Sequence, residues 1–142
     1  MKEKYIKAYM DVAERFAELS SAQRLQVGAI AVKENRIISI GFNGTPKGWD
    51  NCCEYETIEN GWPSLKTKPE VLHAESNCIS KLARSPESGE GAVMFVTHAP
   101  CIDCAKLIYQ SGMAEVYYQS DYRDTAGVQF LEKCGIPVTQ LD

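Results

Sequence analysis

The stretch "VGAIAVKENRIISIGF", residues 27–42, decides the fold. Two runs rich in β-branched residues, 27–33 and 36–42, flank Glu34-Asn35. A two-residue connection whose Asn can take a left-handed conformation predicts a β-hairpin. Downstream, "AVMFVT" (92–97), "EVYYQS" (115–120) and the weaker "IPVTQL" (136–141) also read as strands. Helical patterns at 69–84, 101–111 and 125–135 precede them in turn, with Pro69 suited to a first turn and Gly112 and Gly135 to C-terminal caps. Upstream, Ile6, Tyr9, Met10, Ala13, Phe16, Ala17 and Leu19 form one stripe of a helix over 4–20. Strands joined by helical crossovers run parallel, so a hairpin added to them makes a mixed sheet. The expected fold is α/β: a three-layer α/β/α domain over residues 1–142, with a central mixed five-stranded sheet. Residues 43–68, broken by Gly44, Pro46, Gly48, Gly61 and Pro63, read as a long loop of the kind that carries function.

Bulk properties narrow the partners. The formal charge is −4. Lys and Arg outnumber Asp and Glu 8 to 6 in residues 1–50, and are outnumbered 7 to 13 in residues 51–142. A long nucleic acid needs a basic surface, and this balance offers none, whereas a small anion needs only a few cations. The N-terminal segment lacks the apolar core of a signal peptide, and no stretch approaches the roughly 20 apolar residues of a membrane span. A cytoplasmic protein with six reduced cysteines is expected.

The chemistry concentrates in two short segments. His73-Ala74-Glu75 lies near the start of one predicted helix, and Pro100-Cys101-Ile102-Asp103-Cys104 opens the next. One imidazole and two thiolates leave zinc a free tetrahedral position, as in catalytic sites. Thiols at i and i+3 share a helix face, and a helix N-terminus favours thiolate over thiol. Glu75 is placed to take a proton from a water that zinc acidifies and to pass it on. H-x-E followed by P-C-x-x-C is the pattern of the zinc nucleobase deaminases, the Glu not being a ligand. A closed structural zinc would need a fourth ligand from Cys52, Cys53, Cys78 or His98. His98 reads as a loop histidine lining the pocket mouth, and Cys78 and Cys134 as apolar fillers on helices. Cys52-Cys53 is open between a second metal and two packed thiols.

These residues resemble the deoxycytidylate (dCMP) deaminases of the cytidine deaminase superfamily, notably phage members. The likeness runs through "QVGAIAV" (26–32), "GFNGTPKG" (41–48), "NCCEYETIENGW" (51–62), "HAESN" (73–77), "PCIDCAKLIYQSG" (100–112) and "SDYRD" (120–124). It implies the cytidine deaminase-like fold, one catalytic zinc on His73, Cys101 and Cys104, and Glu75 as proton shuttle. Ala74 would line the substrate, Asn43 would meet the sugar hydroxyl, and Arg24 and Arg123, with Tyr122 nearby, the phosphate. A homohexamer activated by dCTP and inhibited by dTTP is implied as well. Gly41, Asn43, Gly44, Lys47 and Asn51 would contribute to the effector site, with Mg2+ accompanying a triphosphate. Ser76 and Cys78 depart from the usual residues after H-A-E, and "PSLKTKPEV" (63–71) replaces an insertion that carries a second zinc in some phage members.

The expected reaction is hydrolysis of dCMP, and of dCTP as a further candidate, to the deoxyuridine nucleotide and ammonia, supplying dTMP synthesis. The rivals are a cytidine or tRNA-adenosine deaminase and a zinc-stapled nucleotide sensor without catalysis.

Overall fold

The computed structural model describes all 142 residues. Its helices are α1 (Glu3–Ala17), α2 (Ala74–Ala83), α3 (Ile102–Gln110) and α4 (Ala126–Lys133). Its strands are β1 (Gly28–Lys33), β2 (Arg36–Phe42), β3 (Glu54–Glu59), β4 (Trp62–Thr67), β5 (Val93–His98), β6 (Glu115–Ser120) and β7 (Val138–Gln140). Five strands form the expected mixed sheet in the order β2-β1-β5-β6-β7. β1 is antiparallel to both neighbours, and β5, β6 and β7 are parallel. The β1–β2 turn places both Glu34 (φ 52°) and Asn35 (φ 58°) in the left-handed region, as a type I′ turn requires.

Strand alternation builds two cores. Ala29, Ala31, Met94, Val96, Val116 and Tyr118 face one, where Ala74, Cys78 and Leu82 of α2, Ala105 and Ile108 of α3 and Leu131 of α4 cover them. Ile30, Val32, Phe95 and Tyr117 face the other, under Met10 and Ala13 of α1. The central strands are thus buried on both faces, which is why they read as continuous apolar runs. Two glycines set how closely helices lie against the frame that holds the site. A Cβ on Gly41 of β2 would meet the Ala74 carbonyl oxygen at 2.2 Å, and one on Gly127 of α4 the Pro100 carbonyl oxygen at 2.1 Å.

Four expectations need correction. Residues 43–68 are not a loop throughout: β3 and β4 pair as a separate two-stranded hairpin, turning at Asn60 (φ 52°) and Gly61 (φ 79°). Helix α2 starts at Ala74 rather than Pro69. Pro69 instead sits in a turn closed by Val71 N–H on the Lys68 carbonyl, and Leu72 is held extended by a two-bond bridge to Gly44. Helix α1 ends at Ala17, leaving Leu19 52% exposed outside the stripe. His98 is the last residue of β5, not a loop residue.

Candidate active site

The site forms at the C-terminal ends of the parallel strands, where open α/β sheets place their ligand crevices. His73 is the N-cap of α2 and Glu75 lies in its first turn; Cys101 is the N-cap of α3 and Cys104 is two residues inside. Several hydrogen bonds hold these helix starts. Asn77 Nδ2 donates to the Phe42 carbonyl at the end of β2, and Ser39 Oγ to the Cys78 carbonyl. Behind α3, the Ala99 N–H donates to the Ser120 carbonyl, and α4 presses on the Pro100-Cys101 backbone at Gly127.

His73, Cys101 and Cys104 are brought together, their ligand atoms all within 4.8 Å of one another. His73 Nδ1 lies 3.3 Å from Cys104 Sγ and 3.6 Å from Cys101 Sγ. Zinc bonded to nitrogen at about 2.0–2.1 Å and to sulfur at about 2.3 Å in a tetrahedron separates the two donors by about 3.5 Å. The donor set and its spacing therefore fit zinc. The electrostatics agree. Hydrogen bonds from Cys104 and His73 hold the Cys101 thiol down to about 4, against the opposing effect of burial. Cys104 is pushed up by sharing its proton with Cys101 and by burial, and His73 is raised first by its hydrogen bond to Cys101. A cluster that already stabilises one thiolate beside an imidazole suits a divalent cation.

Glu75 is 5% exposed, and burial pushes its carboxyl up to about 7. It shares a cavity of about 300 Å³ with His73, Ala74 and Cys101. Arg24, Asn43, Tyr122 and Arg123, all expected to touch substrate, line the same cavity. Neither arginine is in an ion pair, and Arg24 Nη1 donates to Thr67 Oγ1 at 2.9 Å. Asn43 is more committed than its sequence position suggested. Its Oδ1 accepts from the Val27 N–H and its Nδ2 donates to the Leu25 carbonyl. His98 lines the cavity outside the ligand cluster, with its pKa lowered by burial. Of the expected effector residues, only Asn43 lines this cavity; Gly41 is buried under α2, where it permits packing, and Gly44, Lys47 and Asn51 lie elsewhere. Cys53 packs with Ala22 and Val71, Cys52 is exposed, and Cys134 is half-buried at the end of α4.

Sequence reasoning missed Glu54 and Thr67, which also line the cavity from the β3–β4 hairpin. The one local signal was Asn60-Gly61, a hairpin turn that would have put the two residues opposite each other.

Residues 3–120 match the model of the "cytidine and deoxycytidylate deaminase zinc-binding region". The chain belongs to the cytidine and deoxycytidylate deaminase family. A crystal structure of dCMP deaminase from the cyanophage S-TIM5, in complex with dCMP and dUMP, superposes on this deaminase with a TM-score of 0.89. The two are 44% identical, with 99% of each chain covered. Human deoxycytidylate deaminase is 38% identical over 154 residues, covering 94% of this chain and 84% of the human one. The enzyme of enterobacteria phage T4 is 34% identical over 148 residues, covering 80% of this chain and 76% of its own. No helix of this deaminase is long and apolar enough to cross a membrane.

Proposed function

We propose that this deaminase hydrolyses the C4 amine of deoxycytidine monophosphate, giving dUMP and ammonia. One observation carries the proposal: His73, Cys101 and the buried Glu75 open into a cavity that also holds two unpaired guanidinium groups. His73, Cys101 and Cys104 would hold the zinc. Bound there, zinc would supply a water acidified to a pKa of about 7.

The chain's own residues do the rest. Glu75, buried in the cavity beside the ligand cluster, can both take and return a proton. It accepts a proton from the attacking water and places it on ring N3. It then takes the remaining proton from the new C4 hydroxyl as the C4 carbonyl forms and delivers it to the departing amine, which leaves as ammonia. Ala74 keeps the wall beside the ring small. Arg24 and Arg123 take the phosphate, with Tyr122 beside them, and Asn43 offers its second Nδ2 proton to the sugar. The name and bound nucleotides of the cyanophage relative support the monophosphate.

The same proposal extends to features the resemblance implies. These are dCTP and dTTP as effectors at the turn carrying Gly44, Lys47 and Asn51, Mg2+ with a triphosphate, a homohexamer in the cytoplasm, and one deaminase domain over residues 1–142. The turn continues directly from Asn43, so a ligand there has a short covalent route to the cavity wall.

The test is to incubate zinc-loaded protein with deoxycytidine, cytidine, dCMP, dCTP and tRNA, and to follow ammonia release. dCMP should be the preferred substrate. Ammonia from the nucleosides or tRNA alone, or from nothing, would overturn the reading.

A further inference from the structure

Glu54 is a carboxylate that the proposed reaction does not use. It opens β3, is 6% exposed, and lines the cavity that holds Glu75. Its Oε2 accepts two backbone N–H groups, from Gln23 at 2.9 Å and Arg24 at 3.0 Å. Thr67, its partner across the hairpin, accepts from the Arg24 side chain. Glu54 and Thr67 together thus hold both the backbone and the guanidinium of Arg24.

The other oxygen, Oε1, takes no hydrogen bond within the chain. Yet no buried side-chain oxygen or nitrogen of this protein lacks a partner. Oε1 is therefore not sealed in, and the open space beside Glu54 is the cavity. A carboxylate oxygen accepts hydrogen bonds and repels phosphate, so what it meets there must be a donor. A cytosine deoxynucleotide has two donors: the C4 amine and the 3′-hydroxyl. The reaction requires the amine at Glu75 and the ligand cluster, which leaves the hydroxyl. Asn43 cannot replace this acceptor freely, because its Oδ1 already receives the Val27 N–H.

We propose that Glu54 Oε1 accepts the hydrogen bond of the substrate's 3′-hydroxyl, so that the site selects nucleotides carrying that group. The inference rests on the cytosine-nucleotide reading above. The arrangement is economical: the loop whose backbone is fixed by Glu54 also presents Arg24, so acceptor and cation meet adjoining groups of one sugar phosphate.

The test compares kcat/KM for dCMP with that for 2′,3′-dideoxycytidine monophosphate, in the wild type and in Glu54→Gln. Glutamine keeps an oxygen for the Gln23 and Arg24 N–H groups and replaces the free acceptor with an amide NH2. The wild type should prefer dCMP by about tenfold to hundredfold, the worth of one charge-assisted hydrogen bond. E54Q should lose most of that preference, chiefly by losing activity on dCMP. A wild-type ratio near one, or an equal loss on both substrates in E54Q, overturns the inference. A wild-type ratio near one decides by itself. If E54Q does not fold, Glu54→Asp, which draws the carboxylate back from the sugar, should lower the ratio likewise, and an unchanged ratio there overturns the inference. Wild type that converts neither compound removes the cytosine-nucleotide reading and this inference with it.

Discussion

Glu75 joins near-complete burial to a carboxyl that titrates near neutrality, and both follow from its place in the first turn of α2 against the sheet. As proton shuttle it should be indispensable without being a ligand. Glu75→Ala should keep one zinc per chain by elemental analysis and lose dCMP turnover by about 10²–10⁴-fold, the usual worth of general acid–base catalysis. A variant that kept most of its turnover would remove Glu75 from that role. The same residue has a stability signature in zinc-depleted protein. An acid whose folded pKa of about 7 exceeds its unfolded value of about 4.5 binds more protons folded than unfolded between those pH values. Stability is then lost as pH rises through that window, by up to about 3 kcal/mol above it. Glu75→Gln carries no such loss, so it should raise the thermal midpoint at pH 8 more than at pH 5. An equal change at both pH values would contradict the assignment.

At the scale of elements, the metal cluster depends on two helix starts being pressed against their supports. Gly127→Ala would push a methyl into the Pro100 carbonyl, one residue before a proposed ligand. Overpacking of this kind costs about 1–3 kcal/mol. It should also weaken zinc retention under dialysis, whereas an exposed change on the same helix, such as Gln129→Ala, should not.

What was legible beforehand follows the same divide. His73, Glu75, Cys101 and Cys104 could be read because each pair lies within three residues and its helix start does the placing. The central strands β1, β5 and β6 could be read because both faces are buried, and the edge strand β2 because the Glu34-Asn35 turn ties it to β1. The β3–β4 hairpin could not, because it packs on no sheet: Tyr55, Ile58 and Trp62 are exposed, and Pro63 interrupts its second strand. Pro69 misled in another way. It has the right chemistry for a first helical turn, but the tertiary bridge between Leu72 and Gly44 holds the chain extended until His73. Glu54 was invisible for a third reason, since only folding brings it to Gln23 and Arg24, about 30 positions away in sequence.

Across the whole molecule, α1 covers one face of the sheet and the other three helices the opposite face, leaving the strand ends to form the cavity. The acidic net charge of −4 does not prevent a nucleotide from binding, because Arg24 and Arg123 are local and unpaired. The proposed homohexamer should sediment at six times the 15.8 kDa mass of the chain, and a monomeric mass at micromolar concentration would remove that part of the proposal. The claim that unites these scales is that the metal is a reagent rather than a staple. The most direct measurement strips the protein with a chelator, titrates zinc back, and follows conversion of dCMP to dUMP on the same samples. Turnover should rise in proportion to bound zinc and saturate at one ion per chain. Full zinc occupancy with a native fold and no conversion of dCMP would contradict it.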